Sequence, residues 1–121
     1  MENGPVDPGQ SDTEDEYLLR LNFYLRELTD ADVSRRWKAA ESLARLGDGR
    51  GVGPLIERLS DEDWRVRQKA AWALGQIGDP RALMAIRAAM RQETEGVREI
   101  MEEAVRNILA RQRGEEPPPP R

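Results

Sequence analysis

The chain has no cysteine and no histidine among its 121 residues. Without cysteine there is no disulfide, no thiolate nucleophile and no thiolate-held cluster. Without histidine the commonest general base and the commonest zinc ligand are both missing. Aromatic residues are scarce at 5%, and only 38% of the chain is hydrophobic, so a core has to be assembled mainly from alanine, leucine and isoleucine. That palette suits close-packed helices better than a sheet sandwich. No stretch approaches the roughly 18 apolar residues that a membrane span needs. No apolar run follows basic residues at the N-terminus, so no secretory signal is expected and cytoplasmic residence is the default expectation.

Charge is plentiful but unevenly placed. The net charge is −4, yet Glu2, Asp7, Asp12, Glu14, Asp15 and Glu16 give residues 1–16 a charge of −6 with no base, which leaves +2 for the remainder. Residues 1–13 also hold Gly4, Pro5, Pro8, Gly9 and Ser11. Low hydrophobicity and charge of one sign predict a disordered acidic arm there. At the other end, residues 112–121 close on Pro117, Pro118, Pro119 and Pro120, and such a run predicts an extended Pro-rich tail. Solubility is the plain reading of both tails.

Between the tails the chain repeats itself. A shift of 31 residues lays 28–59 over 59–90 with 11 identities in 32 positions, among them Asp30/Asp61, Arg36/Arg67, Lys38/Lys69, Leu43/Leu74, Gly47/Gly78 and Asp48/Asp79. A further shift matches Val66, Arg67, Ala73 and Ile77 to Val97, Arg98, Ala104 and Ile108. Self-similarity at a fixed period means stacked units. Each unit reads as a helix pair, with first helices near 14–28, 51–60 and 80–91 and second helices near 32–46, 62–77 and 94–111. Asp30 and either Ser60 or Asp61 are expected to cap second helices, Gly47 and Gly78 to end them in the left-handed conformation, and Asp79-Pro80 to start a first helix.

The best-defined unit contains DEDWRVRQKAAWALGQIG, residues 61–78. At about 100° per residue, Val66, Ala70, Ala73, Leu74 and Ile77 share one arc and so face the core. Trp64, Arg65, Gln68, Trp72 and Gln76 fall opposite. The repeat places Trp37 at the position of Gln68, so all three tryptophans turn away from the packed seam. Arg35 stands where the middle unit has the inward Val66, which predicts different packing or an opening in the first unit.

The text DEDWRVRQKAAWALGQIGDPRAL (61–83), and more loosely DADVSRRWKAAESLARLGDGRGV (30–52), resembles the HEAT-repeat family in its short, phycobilisome-lyase-type form. The resemblance covers about residues 15–111. It implies an all-α fold: a right-handed α-solenoid of three helix-pair HEAT-like repeats, with units at about 14–47, 48–78 and 79–111. It also implies that the second helices line a concave side that binds partners. One branch, deoxyhypusine hydroxylase, holds two irons through His-Glu motifs, and a chain without histidine cannot inherit that site.

The candidate partner-binding surface is therefore Trp37, Lys38, Glu41, Arg45, Trp64, Arg65, Gln68, Lys69, Trp72 and Gln76. An aromatic cluster with a polar and arginine-containing rim has the composition of an interface hot spot. Its competing reading is that outward tryptophans fill grooves between helices, and Trp64, in the first turn, is the one expected to be structural. Glu95, Glu99 and Glu103 extend the surface as an acidic edge, with a solvated helix face as the plainer reading. Arg36, Arg67 and Arg98, with Asp48 and Asp79, are expected to form an Asp–Arg ladder between units.

The expected role is a non-enzymatic scaffold or adaptor that takes another protein or a peptide segment in its groove. No catalytic residue, metal ligand or cofactor site is expected: there is no nucleophile–base pair and no Gly-rich phosphate loop. Accessory help to an enzyme, such as a bilin lyase, is the alternative. Nucleic acid is disfavoured because the folded part carries only +2. A monomer is expected.

Overall fold

The computed structural model describes residues 11–116, and within them every regular element is helical. Six α-helices follow one another as α1 Ser11–Glu27, α2 Val33–Leu46, α3 Val52–Glu57, α4 Trp64–Ile77, α5 Leu83–Met90 and α6 Glu95–Gln112. They pack as three sequential pairs, α1 with α2, α3 with α4 and α5 with α6. The architecture is the α-solenoid that the 31-residue period predicts.

Helix boundaries follow local chemistry. Gly47 and Gly78 end α2 and α4 at φ 66° and 77°, a conformation that glycine enters without steric cost. The caps at the other ends sit two residues later than expected. Asp32 accepts from the Ser34 and Arg35 amides, and Asp63 from the Arg65 amide. Asp30 and Asp61 act one step earlier, accepting the amides of Asp32 and Asp63 at 2.8 and 2.9 Å. The DxD pairs thus form relayed turns that lead the chain into each second helix. The expected first helices at 51–60 and 80–91 are shorter α-helices with 3-10 turns, at Gly49–Gly51 and Arg58–Ser60 around α3 and at Pro80–Ala82 before α5. Asp79 accepts from the Arg81 amide beside Pro80, as the sequence suggests.

Helix α1 begins at Ser11, so residues 11–13 of the expected arm are helical, while residues 1–10 lie outside the described residues. At the far end α6 runs to Gln112, inside the expected tail, and residues 117–121 also lie outside the described residues.

The core runs along the seams between helices. Val66, Ala70, Ala73 and Leu74 are fully buried as the periodicity requires, and Ile77 is half-buried. The second helices α2, α4 and α6 pack directly side by side, whereas the first helices chiefly contact their own partners and neighbouring turns. Small residues permit the tight layer: Ala39, Ala40, Ala70, Ala71, Ala73, Gly75 and Ala104 are all buried there. A β-carbon on Gly75 would come 2.9 Å from Ala104 Cα, so α4 and α6 touch almost backbone to backbone. The second helices thus form the more tightly packed layer of the stack.

The units are tied by arginines, but not to the aspartates expected. Arg36 Nε and Nη2 donate to Asp61 at 2.9 and 3.1 Å, and Arg67 Nε and Nη2 donate to Glu93 at 2.6 and 3.3 Å. Arg98 ends the series on the carbonyls of Met90 and Glu93. Asp48 and Asp79 instead pair locally with Arg50 and Arg81, two residues on. An arginine at the start of a second helix lies beside the next unit's inter-helix turn, not beside its Gly-Asp turn at the other end. The ladder is real, and it runs through acids of the inter-helix turn.

Arg35 turns outward, with 61% of its side chain exposed and Asp30 at 3.6 Å. Beside it, a shallow groove of about 180 Å³ opens between α1 and α2 against Phe23, Tyr24 and Ala39. The first unit does open at this position.

Candidate functional site

All the expected surface residues but Gln76 divide into two groups on the layer of second helices. The first spans α2 and α4 and contains Trp37, Lys38, Glu41, Arg45, Lys69 and Trp72. Lys69 is its hub. The Lys69 ammonium donates to Glu41 Oε2 at 3.0 Å, and lies 5.8 Å from the Trp37 ring centre and 5.3 Å from that of Trp72. A cation within about 6 Å of an indole is attracted by the negative face of the ring. Two indoles from neighbouring helices and one carboxylate therefore hold one ammonium. Lys38 sits 5.7 Å from the same Trp37 ring, and Arg45 reaches Glu41 at 3.6 Å. The 31-residue period explains the meeting: Lys38 and Lys69 are equivalent positions, and adjacent second helices present them in register.

Trp37 and Trp72 are each half-buried, and Trp72 packs against the hydrophobic core. Trp72 does part of what the competing reading assigned to outward tryptophans, since it packs on the core, while both indoles keep part of their surface in solvent.

The second group lies between α4 and α6. Trp64 is 53% exposed, the opposite of the structural role expected for it. At the first position of α4 it has no preceding helical turn to fold back on, and it stands at the mouth of a groove. Trp64, Gln68, Arg67, Thr94, Gly96 and Val97 line that groove, which encloses about 440 Å³. Arg65 lies 6.0 Å from the Trp64 ring and is held by Asp63 at 2.9 Å. Thr94, Gly96 and Val97 are the members that sequence reasoning missed. The repeat held the signal: Gly96 is the equivalent of Arg65, so the third unit has no side chain where the second has a long one. A β-carbon at Gly96 would meet nothing within 4 Å. Gln76 belongs to neither group. It sits at the C-terminal end of α4, where its carbonyl accepts from Arg111 Nη2 at 3.0 Å.

On α6 the equivalents of Trp64, Gln68 and Trp72 are Glu95, Glu99 and Glu103. With Glu102 they form an acidic edge, and none of the four has an ion-pair partner among the described residues. Among the described residues no cluster of three or more acidic side chains is arranged to hold a metal ion. A larger polar hollow of about 540 Å³ lies elsewhere, at the inter-helix turns against Asp30, Arg36, Arg58 and Asp61. Both of its arginines are already committed, since Arg36 and Arg58 pair with Asp61. No helix is long and apolar enough to cross a membrane among the described residues.

A family model described as HEAT repeats matches residues 22–106. Among solved structures, human deoxyhypusine hydroxylase in complex with glycerol is similar at a TM-score of 0.72 and 26% identity, over 96% of this chain. The chain spans 44% of that enzyme's length. A search of curated proteins gave no match.

Proposed function

Since the chain belongs to the HEAT-repeat family, we propose that it is a non-enzymatic scaffold or adaptor whose layer of second helices binds a segment of another protein. The observation that carries this reading is the pair Trp37 and Trp72, set on adjacent helices around Lys69, with a polar rim of Lys38, Glu41 and Arg45. Half-exposed indoles held in place by fixed neighbours lose little conformational freedom on binding, which is why such residues dominate interface energetics. Trp64 supplies a second apolar anchor about 12 Å farther toward the start of α4. An enzymatic role of the kind the similar human enzyme's name describes has no histidine to draw on here.

The test is to replace Trp37 and Trp72 together by alanine and to compare proteins retained from native extract by the variant and the parent chain. Loss of a specific partner, with helicity by circular dichroism retained, is the expected result. If the same partner binds both proteins equally, the face of the second helices is the wrong surface.

A further inference from the structure

We propose that the partner segment is acidic and apolar, and that it docks on the Trp37–Trp72 face shared by α2 and α4 while the acidic edge of α6 turns it away. This rests on the scaffold reading above and specifies the chemistry of its partner.

The argument is one of charge in place. Around the Trp37–Trp72 pair stand three cations, Lys38, Arg45 and Lys69, against one carboxylate, Glu41. Lys69 and Arg45 both lean on that carboxylate, while Lys38 is exposed and, among the described residues, is in contact with the Trp37 ring but in no ion pair. The ammoniums of Lys38 and Lys69 lie 5.7 and 5.8 Å from the same ring centre. Two like charges beside one indole repel each other, and Glu41 relieves only one of them. A carboxylate arriving from outside would supply the missing counter-charge, while an apolar side chain next to it covers the exposed ring edges. A basic segment would meet three cations instead.

Helix α6 sets the boundary. At the positions where α4 presents Trp64, Gln68 and Trp72 it presents Glu95, Glu99 and Glu103, with Glu102 alongside. An acidic segment crossing all three second helices would run onto this edge, whereas one lying along the α2–α4 face avoids it. Exclusion by like charge is a common source of specificity.

The experiment selects short random peptides displayed on phage against the full chain and against its Lys38→Glu, Lys38→Gln, Trp37→Ala/Trp72→Ala and Glu99→Lys/Glu103→Lys variants. Lys38 is exposed, so its replacement leaves the fold intact. The expected pool is enriched in Asp and Glu beside a large apolar residue. Synthetic members of that pool should bind the full chain at least about fivefold more weakly after Lys38→Glu, and less weakly after Lys38→Gln. Their affinity should also fall as salt rises from about 50 to about 300 mM. Glu99→Lys/Glu103→Lys should admit a broader set of acidic peptides. A neutral or basic pool, no enrichment, or binding indifferent to Lys38→Glu overturns the inference. If the pool is basic but still lost on Trp37→Ala/Trp72→Ala, the scaffold reading stands and only the partner chemistry fails; binding that survives loss of both tryptophans sinks both. Acidic enrichment that appears only after Glu2→Gln and Asp7→Asn would make the occupant the chain's own N-terminal segment. Concentration-dependent dimerisation abolished by Lys38→Glu would make it a second copy. Either result overturns the external partner.

Discussion

Arg36 on α2 grips Asp61 at the entrance of the next repeat with two near-parallel hydrogen bonds, 2.9 and 3.1 Å long, while its third nitrogen caps the carbonyls of Asp30 and Ala31 at 2.8 and 3.1 Å. Both side chains are buried, at 8% and 2% exposure. The carboxylate raises the pKa of the guanidinium above its ordinary value, against the opposing effect of burial. Removing one member strands the other charge away from water. Arg36→Ala is expected to cost about 3 kcal/mol in urea unfolding, at the lower end for broken buried pairs because Arg58 still reaches Asp61 at 3.2 Å. Replacing both residues by leucine should cost less than Arg36→Ala alone.

Two glycines on second helices should respond with opposite sign to the same substitution. Gly75→Ala drives a methyl to 2.9 Å from the Ala104 backbone, which has no flexible end to give way. Separating α4 from α6 should cost about 1 to 2 kcal/mol net, outweighing the roughly 1 kcal/mol gained in helix propensity. Gly96→Ala meets open space and should stabilise by about 0.5 kcal/mol. Thermal unfolding of the two variants beside the parent chain gives both signs directly.

Trp72 and Trp64 should separate by stability. Trp72 packs on the core, so Trp72→Ala should cost about 2 kcal/mol, less than a fully buried tryptophan would. Trp64→Ala, at a position more than half exposed, should fall within about 0.5 kcal/mol of the parent. Quenching of tryptophan fluorescence by acrylamide should be strongest for the indole lost in Trp64→Ala.

Acid should weaken the fold in a defined window. Hydrogen bonds from the Arg65 side chain lower Asp63 from an ordinary value of 3.8 to about 2, and Arg81 lowers Asp79 in the same way. Asp48 is held still lower by the Arg50 side chain and amide and by Tyr17, whose hydroxyl donates to it at 2.8 Å. Depressed folded-state values mean that the unfolded chain takes up protons first on acidification. The contribution is therefore complete above about pH 4 and lost as pH falls toward about 2. The stability gap between parent and Asp63→Asn, measured by urea unfolding, should be largest near pH 6 and narrow below pH 3. The opposite limb belongs to Tyr17. Its pKa is raised from 10.0, first by the hydrogen bond to Asp48, so its contribution holds below about pH 10 and is lost above it. Tyrosinate absorbance should develop at higher pH in the parent than in Asp48→Asn.

Much of this architecture was legible in the bare chain, because a repeat writes the same local physics three times. The 31-residue period, the glycines that end α2 and α4, and the inward row of Val66, Ala70, Ala73 and Leu74 follow from helical spacing and backbone sterics alone, which act over a few residues. Placing Trp37, Lys38, Lys69 and Trp72 on one face likewise needed only the period. What the chain alone left open depends on contacts between units. The arginines could be seen to recur, but their partners could not. Asp61 and Glu93 lie 25 and 26 residues away and are reached only because stacked units share an inter-helix turn. Trp64 could be put on the outer arc of its helix, but that it stands exposed at a groove lined by Gly96 and Val97 of α6 depends on how the two units stack. Periodicity fixes the direction in which a side chain leaves its own helix; the neighbouring helix decides whether it meets water, a cation or another ring.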